Sequence, residues 1–236
     1  MNYEALKRHI KNENDHWWFK ARREIIKNIL KKLKVQKLKI LDFGAGSGTN
    51  IEILKEFGNV EVYEKNKMIN FFLKKKFKKN KKIKIIDNYK NKKYDLILAA
   101  DVIEHIKKDN IIVKNLWKIL KKNGKIIITV PSYQFLFSKK DEDLKHYRRY
   151  NINKLKKLIS KFKTIKCSYF NFFLFIPLSI LILIFKLFRI QFINSAEKTP
   201  NKYLNKILYL IFKTEKFLIN RLNFPFGLSI IFVGEK

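Results

Sequence analysis

Residues 41–48 read LDFGAGSG, so that glycines at 44, 46 and 48 follow an acid, Asp42, at the end of an apolar run. Glycines there let the backbone turn sharply and let a ligand lie against it with no Cβ in the way, while the next helix points its amino terminus at the ligand. A glycine turn alone says little. Glu64, 22 residues beyond Asp42, sharpens it, because a carboxylate ending the next strand can accept hydrogen bonds from both hydroxyls of a ribose. The chemistry that fits is the binding of a nucleoside-containing cofactor. Dinucleotide sites usually show G-x-G-x-x-G, whereas here the third glycine comes one residue early and position 49 is Thr. That spacing leans away from NAD and from an NAD-dependent oxidoreductase.

A second crowd of ionisable types follows VPSYQF: Asp141, His146, Arg148, Arg149 and Tyr150. It lies after a strand, on the side where open α/β sheets bind ligands, and is a candidate acceptor or substrate site. The chain has only seven arginines among its 53 basic residues, and four of them form the pairs Arg22-Arg23 and Arg148-Arg149. A guanidinium fork grips a carboxylate in two places, so these positions suit either a structural ion pair or an acidic ligand. Trp17, Trp18 and Phe19, just before the first pair, suit a lid over the ligand or simple packing of a helix on the sheet. Trp18 and Arg22 join the acceptor-site candidates. No metal-ligand set is assigned.

The elements that must hold these residues are legible in the apolar periodicity. Ala21 to Leu33 repeats at helical spacing, LKILDF is a short strand, and Asn50 to Phe57 reads as a helix. Strands follow at 60–64, 83–87, 94–101 and 125–130, with helices at 68–77 and 111–120 between them. Each parallel connection needs a crossover long enough for a helix, so this alternation predicts a doubly wound α/β fold. A helix from Ile152 to Phe162, a strand at 164–170 and a last strand at 228–235 complete the pattern.

Taken in order, LDFGAGSG, Glu64, IID at 85–87, YDLILAADVIEHI at 94–106 and NGKIIITVP at 123–131 resemble the successive motifs of class I S-adenosylmethionine-dependent methyltransferases. The resemblance covers about residues 38–170 and resumes at 228–235. It implies a mostly parallel seven-stranded sheet whose last strand is antiparallel. It also implies that Asp42, Gly44 and Gly46, in the turn closed by Gly48, line the methionine part of S-adenosylmethionine. Glu64 would then hold the ribose and Asp87 meet the adenine, with Asp101 beside the cofactor and the acceptor pocket. HWWFKARREII (16–26) and DEDLKHYRRYNINKL (141–155) resemble segments of bacterial methyltransferases associated with lipid or cell-envelope pathways. Methyl transfer asks mainly for alignment and exclusion of water, with a base for some acceptors; His105 and His146 are the candidates. The rival reading is a non-catalytic binding or scaffold protein that keeps the same core.

The charge of +33 invites a nucleic-acid partner, but lysine is spread along the chain together with abundant Ile, Asn and Phe, so nucleic acid is disfavoured. The single cysteine, Cys167, fits a reducing compartment, and the start of the sequence lacks the apolar core of a secretory signal, so the body of the protein is expected in the cytoplasm. From Cys167 to Phe185 there are nineteen uncharged residues. Once the strand is subtracted, the helical remainder is about 22 Å long at ~1.5 Å per residue, short of a hydrocarbon core of ~30 Å. Between Lys202 and Asn220, Lys202, Lys206, Tyr209, Lys213, Lys216 and Asn220 share one narrow helical face and apolar residues cover much of the rest. The expectation is an apolar hairpin that embeds shallowly at a membrane surface and meets anionic lipid with its lysines. The organisation read from the sequence is therefore a helical cap (1–37), a Rossmann-like core (38–170 plus 226–236) and a hydrophobic helical insertion (171–225). The acceptor is expected to be a small molecule or a lipid-linked group, and the sequence leaves the oligomeric state open.

Overall fold

The computed structural model describes residues 10, 13–34, 36–188 and 199–236; parts of the expected cap and hairpin therefore lie outside the described residues. Seven strands form one sheet in the order β3-β2-β1-β4-β5-β7-β6. They are β1 (Leu38–Phe43), β2 (Gly58–Tyr63), β3 (Ile83–Ile86), β4 (Tyr94–Ala100), β5 (Leu120–Pro131), β6 (Lys163–Phe170) and β7 (Ser229–Glu235). The first five pair in parallel, and β7 runs antiparallel to both β5 and β6. β1 and β4 are buried through their central residues, as parallel strands covered on both faces must be.

Among the described residues the helices are α1 (Trp17–Lys32), α2 (Ile51–Leu54), α3 (Lys67–Lys76), α4 (Asp109–Ile119), α5 (Lys139–Asp143), α6 (Ile152–Leu158), α7 (Phe175–Leu187) and α8 (Lys202–Leu218). α1 begins where the His16 side chain accepts the Trp18 N–H, and it buries Ala21, Ile25, Ile26, Ile29 and Leu30, the stripe that the helical period announces. α2 is shorter than its pattern: residues after Leu54 turn back through the bonds Glu56 N–H to Ile53 and Phe57 N–H to Leu54, so that β2 can start at Gly58.

α8 departs from its expected orientation. Its inner face carries Phe212, Glu215 and Ile219, all fully buried, and it packs along α1, with the Trp17 and Phe212 rings 5.8 Å apart. Lys216 and Asn220, expected on a solvated stripe, face α1 instead: Lys216 Nζ lies 3.1 Å from Glu24, and Asn220 Nδ2 donates to the Asn28 carbonyl at 3.4 Å. Leu204, Ile207, Leu210, Ile211 and Phe217 are left exposed on the opposite side. The physical reason is that α1 sets Glu24 and Asn28 opposite the positions where Lys216 and Asn220 can pair with them.

Candidate active site

Because β1, β2 and β4 are parallel, their carboxyl ends share one edge of the sheet. β2 lies on one side of β1 and β4 on the other, so the chain's order reverses there and leaves a crevice where such sheets bind ligands. β1 delivers Asp42 and the glycine turn to this edge, Glu64 follows β2, and Asp101 follows β4. Gly44, Gly46 and Gly48 all have positive φ (74°, 54° and 80°). A Cβ at Gly44 would lie 2.7 Å from Val102 Cγ2, so the turn requires glycine both for its conformation and for its space.

The carboxylate of Glu64 accepts the Gly46 N–H at 3.0 Å and the Asn66 N–H at 2.8 Å, which ties the second strand's acid to the glycine turn. Asp42 is 1% exposed, and its Oδ2 has no hydrogen-bond partner among the described residues. Burial pushes its carboxyl up to about 7 against the pull of Arg22. Asp87 is placed differently from this cluster: its side chain is largely exposed and paired with Lys74 at 3.1 Å. Glu13, just ahead of α1, receives the Ser47 N–H at 3.1 Å and the Ser47 hydroxyl. A turn with glycine at alternate positions, an orphaned buried acid and a strand-end carboxylate together fit S-adenosylmethionine.

α1 reaches the same edge. Arg22 is 4% exposed and pairs with Asp101, whose other carboxylate oxygen accepts the Thr129 hydroxyl at 2.9 Å. The guanidinium lies under the Trp18 ring, 4.6 Å from its centroid. Burial lowers Arg22 to about 10, which leaves it cationic at neutral pH. Asp101 has φ of 56°, a left-handed conformation that Asp tolerates better than most residues. Arg22 is thus an internal ion pair, whereas its neighbour Arg23 binds the Glu13 and Asn14 carbonyls.

The second cluster is organised by Asp141, which is 1% exposed. It accepts two bonds from Arg149, at 2.8 and 2.9 Å, and the Ser138 N–H at 2.9 Å, and it contacts His146 Nδ1 at 2.9 Å. Against its burial, His146 and Arg149 hold its carboxyl well below the usual range. The rings of His105 and His146 meet edge to face, centroids 4.4 Å apart. Desolvation of its partly covered ring, then His146, lowers His105 to about 4, although the residue as a whole is exposed. Arg148 and Tyr150 form a separate pair of contacts: Arg148 Nη1 lies 2.8 Å from Asp109, and the buried Tyr150 hydroxyl donates to the same carboxylate at 2.8 Å. These two acceptor-site candidates therefore have their polar groups turned to Asp109.

Sequence reasoning missed Glu13, Thr129 and Glu104. Glu104 is fully buried beside the two histidines, and neither carboxylate oxygen has a hydrogen-bond partner among the described residues. Its only signal is its position between Ile103 and His105 directly after β4.

Comparison with known proteins agrees with this geometry. A family model described as Methyltransferase domain matches residues 15–169. A search of curated proteins finds no match. Among solved structures, the N-methyltransferase NodS from Bradyrhizobium japonicum, in complex with S-adenosyl-L-homocysteine, is 10% identical with TM-score 0.61, covering 99% of this chain and 97% of that one. A SAM-dependent methyltransferase from Archaeoglobus fulgidus is 17% identical with TM-score 0.55, covering 91% and 94%. Phosphoethanolamine N-methyltransferase 2 from Haemonchus contortus, in complex with S-adenosyl-L-methionine, is 18% identical with TM-score 0.54, covering 86% of this chain and 49% of that one. At such identities the likeness is one of fold. With the family model spanning both the glycine turn and the strand-end acids, the chain belongs to the methyltransferase-domain family, as a class I enzyme whose cofactor is S-adenosylmethionine.

Proposed function

We propose that this methyltransferase works at the cytoplasmic face of a membrane, on a lipid-linked or membrane-held acceptor, as in the bacterial enzymes of lipid and cell-envelope pathways that its flanking segments resemble. The observation that carries the reading is the apolar surface of α7 and α8. Ile176, Ile180, Leu187 and Phe188 of the first and Ile207 and Phe217 of the second are all more than half exposed. No helix among the described residues is long and apolar enough to cross a membrane. A shallow dock accommodates both facts. Lys161, Lys163, Lys166, Lys186, Lys202 and Lys206 flank the two apolar helices in the sequence, and those that reach the membrane surface would each supply attraction to anionic lipid of about 1 kcal/mol. In this reading residues 1–37 are a cap, 38–170 with 226–236 the catalytic core, and 171–225 the docking insertion.

Within the core, Glu64 is assigned to the cofactor ribose, Asp42 and the glycines 44, 46 and 48 to its methionine part, Asp87 to the adenine side, and Asp101 to the boundary with the acceptor. When bound, the cofactor supplies a methyl group already activated by its sulfonium. The chain's own task is placement: Arg22 fixes Asp101, Trp18 covers Arg22, and Asp141 fixes His146 and Arg149. Of the two candidate bases, His146 is the one a carboxylate orients.

The test is sedimentation with vesicles. Wild-type protein should pellet with vesicles containing anionic lipid, and Ile180→Glu with Leu183→Glu should release it, since each change removes an apolar group and adds a like charge to the docking face. Sedimentation unchanged by the double substitution would end the docking reading, and a shift from dimer to monomer instead would mark the patch as a contact between copies of the chain.

A further inference from the structure

We propose that Glu104, His105 and His146 form a binding site for a divalent first-row metal ion, with Zn²⁺ the best match to two imidazoles and a carboxylate. One ligand atom from each residue lies within 4.8 Å of the others. Donors around Zn²⁺ sit roughly 3.4 Å apart when each bond is about 2.1 Å, so side-chain rotations that draw the three together by about an ångström close the site.

The charge around Glu104 supports a cation. A buried carboxylate without a partner is costly, and the nearby guanidiniums are committed elsewhere: Arg22 to Asp101, Arg149 to Asp141 and Arg148 to Asp109. What remains beside Glu104 is the pair of imidazoles. Asp141 holds His146 through Nδ1 at 2.9 Å and leaves the other ring nitrogen for a ligand bond. That is the carboxylate–histidine support by which metal sites orient their imidazoles. Asp141 is itself locked by Arg149 and Ser138. The His105 and His146 rings already meet edge to face, centroids 4.4 Å apart, so both imidazoles lie on the same side of the site.

Three protein donors leave a coordination position open, and His105 is the exposed member of the set. An acceptor oxygen in that position would be polarised by the metal, in which case His146 serves as a ligand and not as the base. This role rests on the acceptor reading above; metal binding itself does not, and is measured without any acceptor.

The full chain, stripped with chelator, is titrated with Co²⁺ followed by its visible d–d absorption, and with Zn²⁺ by calorimetry. The expected result is one equivalent of Co²⁺ displaced by Zn²⁺, with Glu104→Gln and His105→Ala each weakening Zn²⁺ by about tenfold or more. His105 is exposed, so its variant keeps the fold even where loss of buried Glu104 costs stability; thermal unfolding checks both. Absence of saturable binding by folded wild-type protein overturns the proposal. Binding kept within about threefold by both variants also overturns it, and places the ion elsewhere.

Discussion

Replacing Arg22 by Met keeps much of the side chain's volume and removes its charge. Burial lowers Arg22 to about 10 even though Glu13, Glu104 and Asp42 attract it, and its direct ion-pair partner is Asp101. Removing one partner of a buried pair typically costs about 3–5 kcal/mol. Asp101 retains 19% side-chain exposure, which places Arg22→Met near the lower end, about 3 kcal/mol. Replacing the whole pair by neutral groups is often close to neutral, and Asn at 101 can still accept from Thr129. The double variant Arg22→Met with Asp101→Asn should therefore lie within about 1 kcal/mol of wild type. The assay is urea unfolding of all four proteins without cofactor. With m of about 2 kcal/mol/M, the single variant's midpoint falls by about 1.5 M and the double variant's mostly recovers. A double variant as unstable as the sum of the two singles would refute the claim that the pair is held by mutual compensation.

Two further outcomes follow from the same structure. Gly44→Ala forces a Cβ to within 2.7 Å of Val102 at a φ of 74°, a strain of about 1–2 kcal/mol before the clash is counted; calorimetry should show S-adenosylmethionine affinity reduced at least about tenfold while circular dichroism shows a retained fold. Glu215 accepts the backbone N–H groups of Asn171, Phe172 and Phe173 at the entry to α7, and burial pushes its carboxyl from 4.5 up to about 7. The folded state therefore keeps a proton that the unfolded chain releases between these values, and stability from this group is present below about 4.5 and lost as pH rises to about 7. Wild-type stability relative to Glu215→Gln should fall by about 3 kcal/mol across that window and level off above it; a difference that is constant with pH contradicts this.

Much of the fold was legible because buried parallel strands read as short apolar runs and the helices between them keep their period. Strand-end acids such as Asp42, Glu64 and Asp101 were legible for the same reason: the end of a strand fixes which edge of the sheet a residue occupies. The pairing of Arg22 with Asp101 was not, since it joins residues 79 positions apart and depends on how α1 is laid over the sheet. Glu104 and Glu215 were hidden by their type, because an acid is normally read as solvated, yet both are fully buried. The inner face of α8 was obscured by the lysine bias: Lys216 looks like any surface lysine until Glu24 stands opposite it.

The most direct test of the account is calorimetric titration of the purified protein and its Glu64→Ala variant with S-adenosylmethionine and, separately, with NAD. The account predicts micromolar binding of S-adenosylmethionine alone, weakened by loss of the carboxylate that reaches the glycine turn. Binding of NAD in its place, or of neither by folded protein, would contradict it.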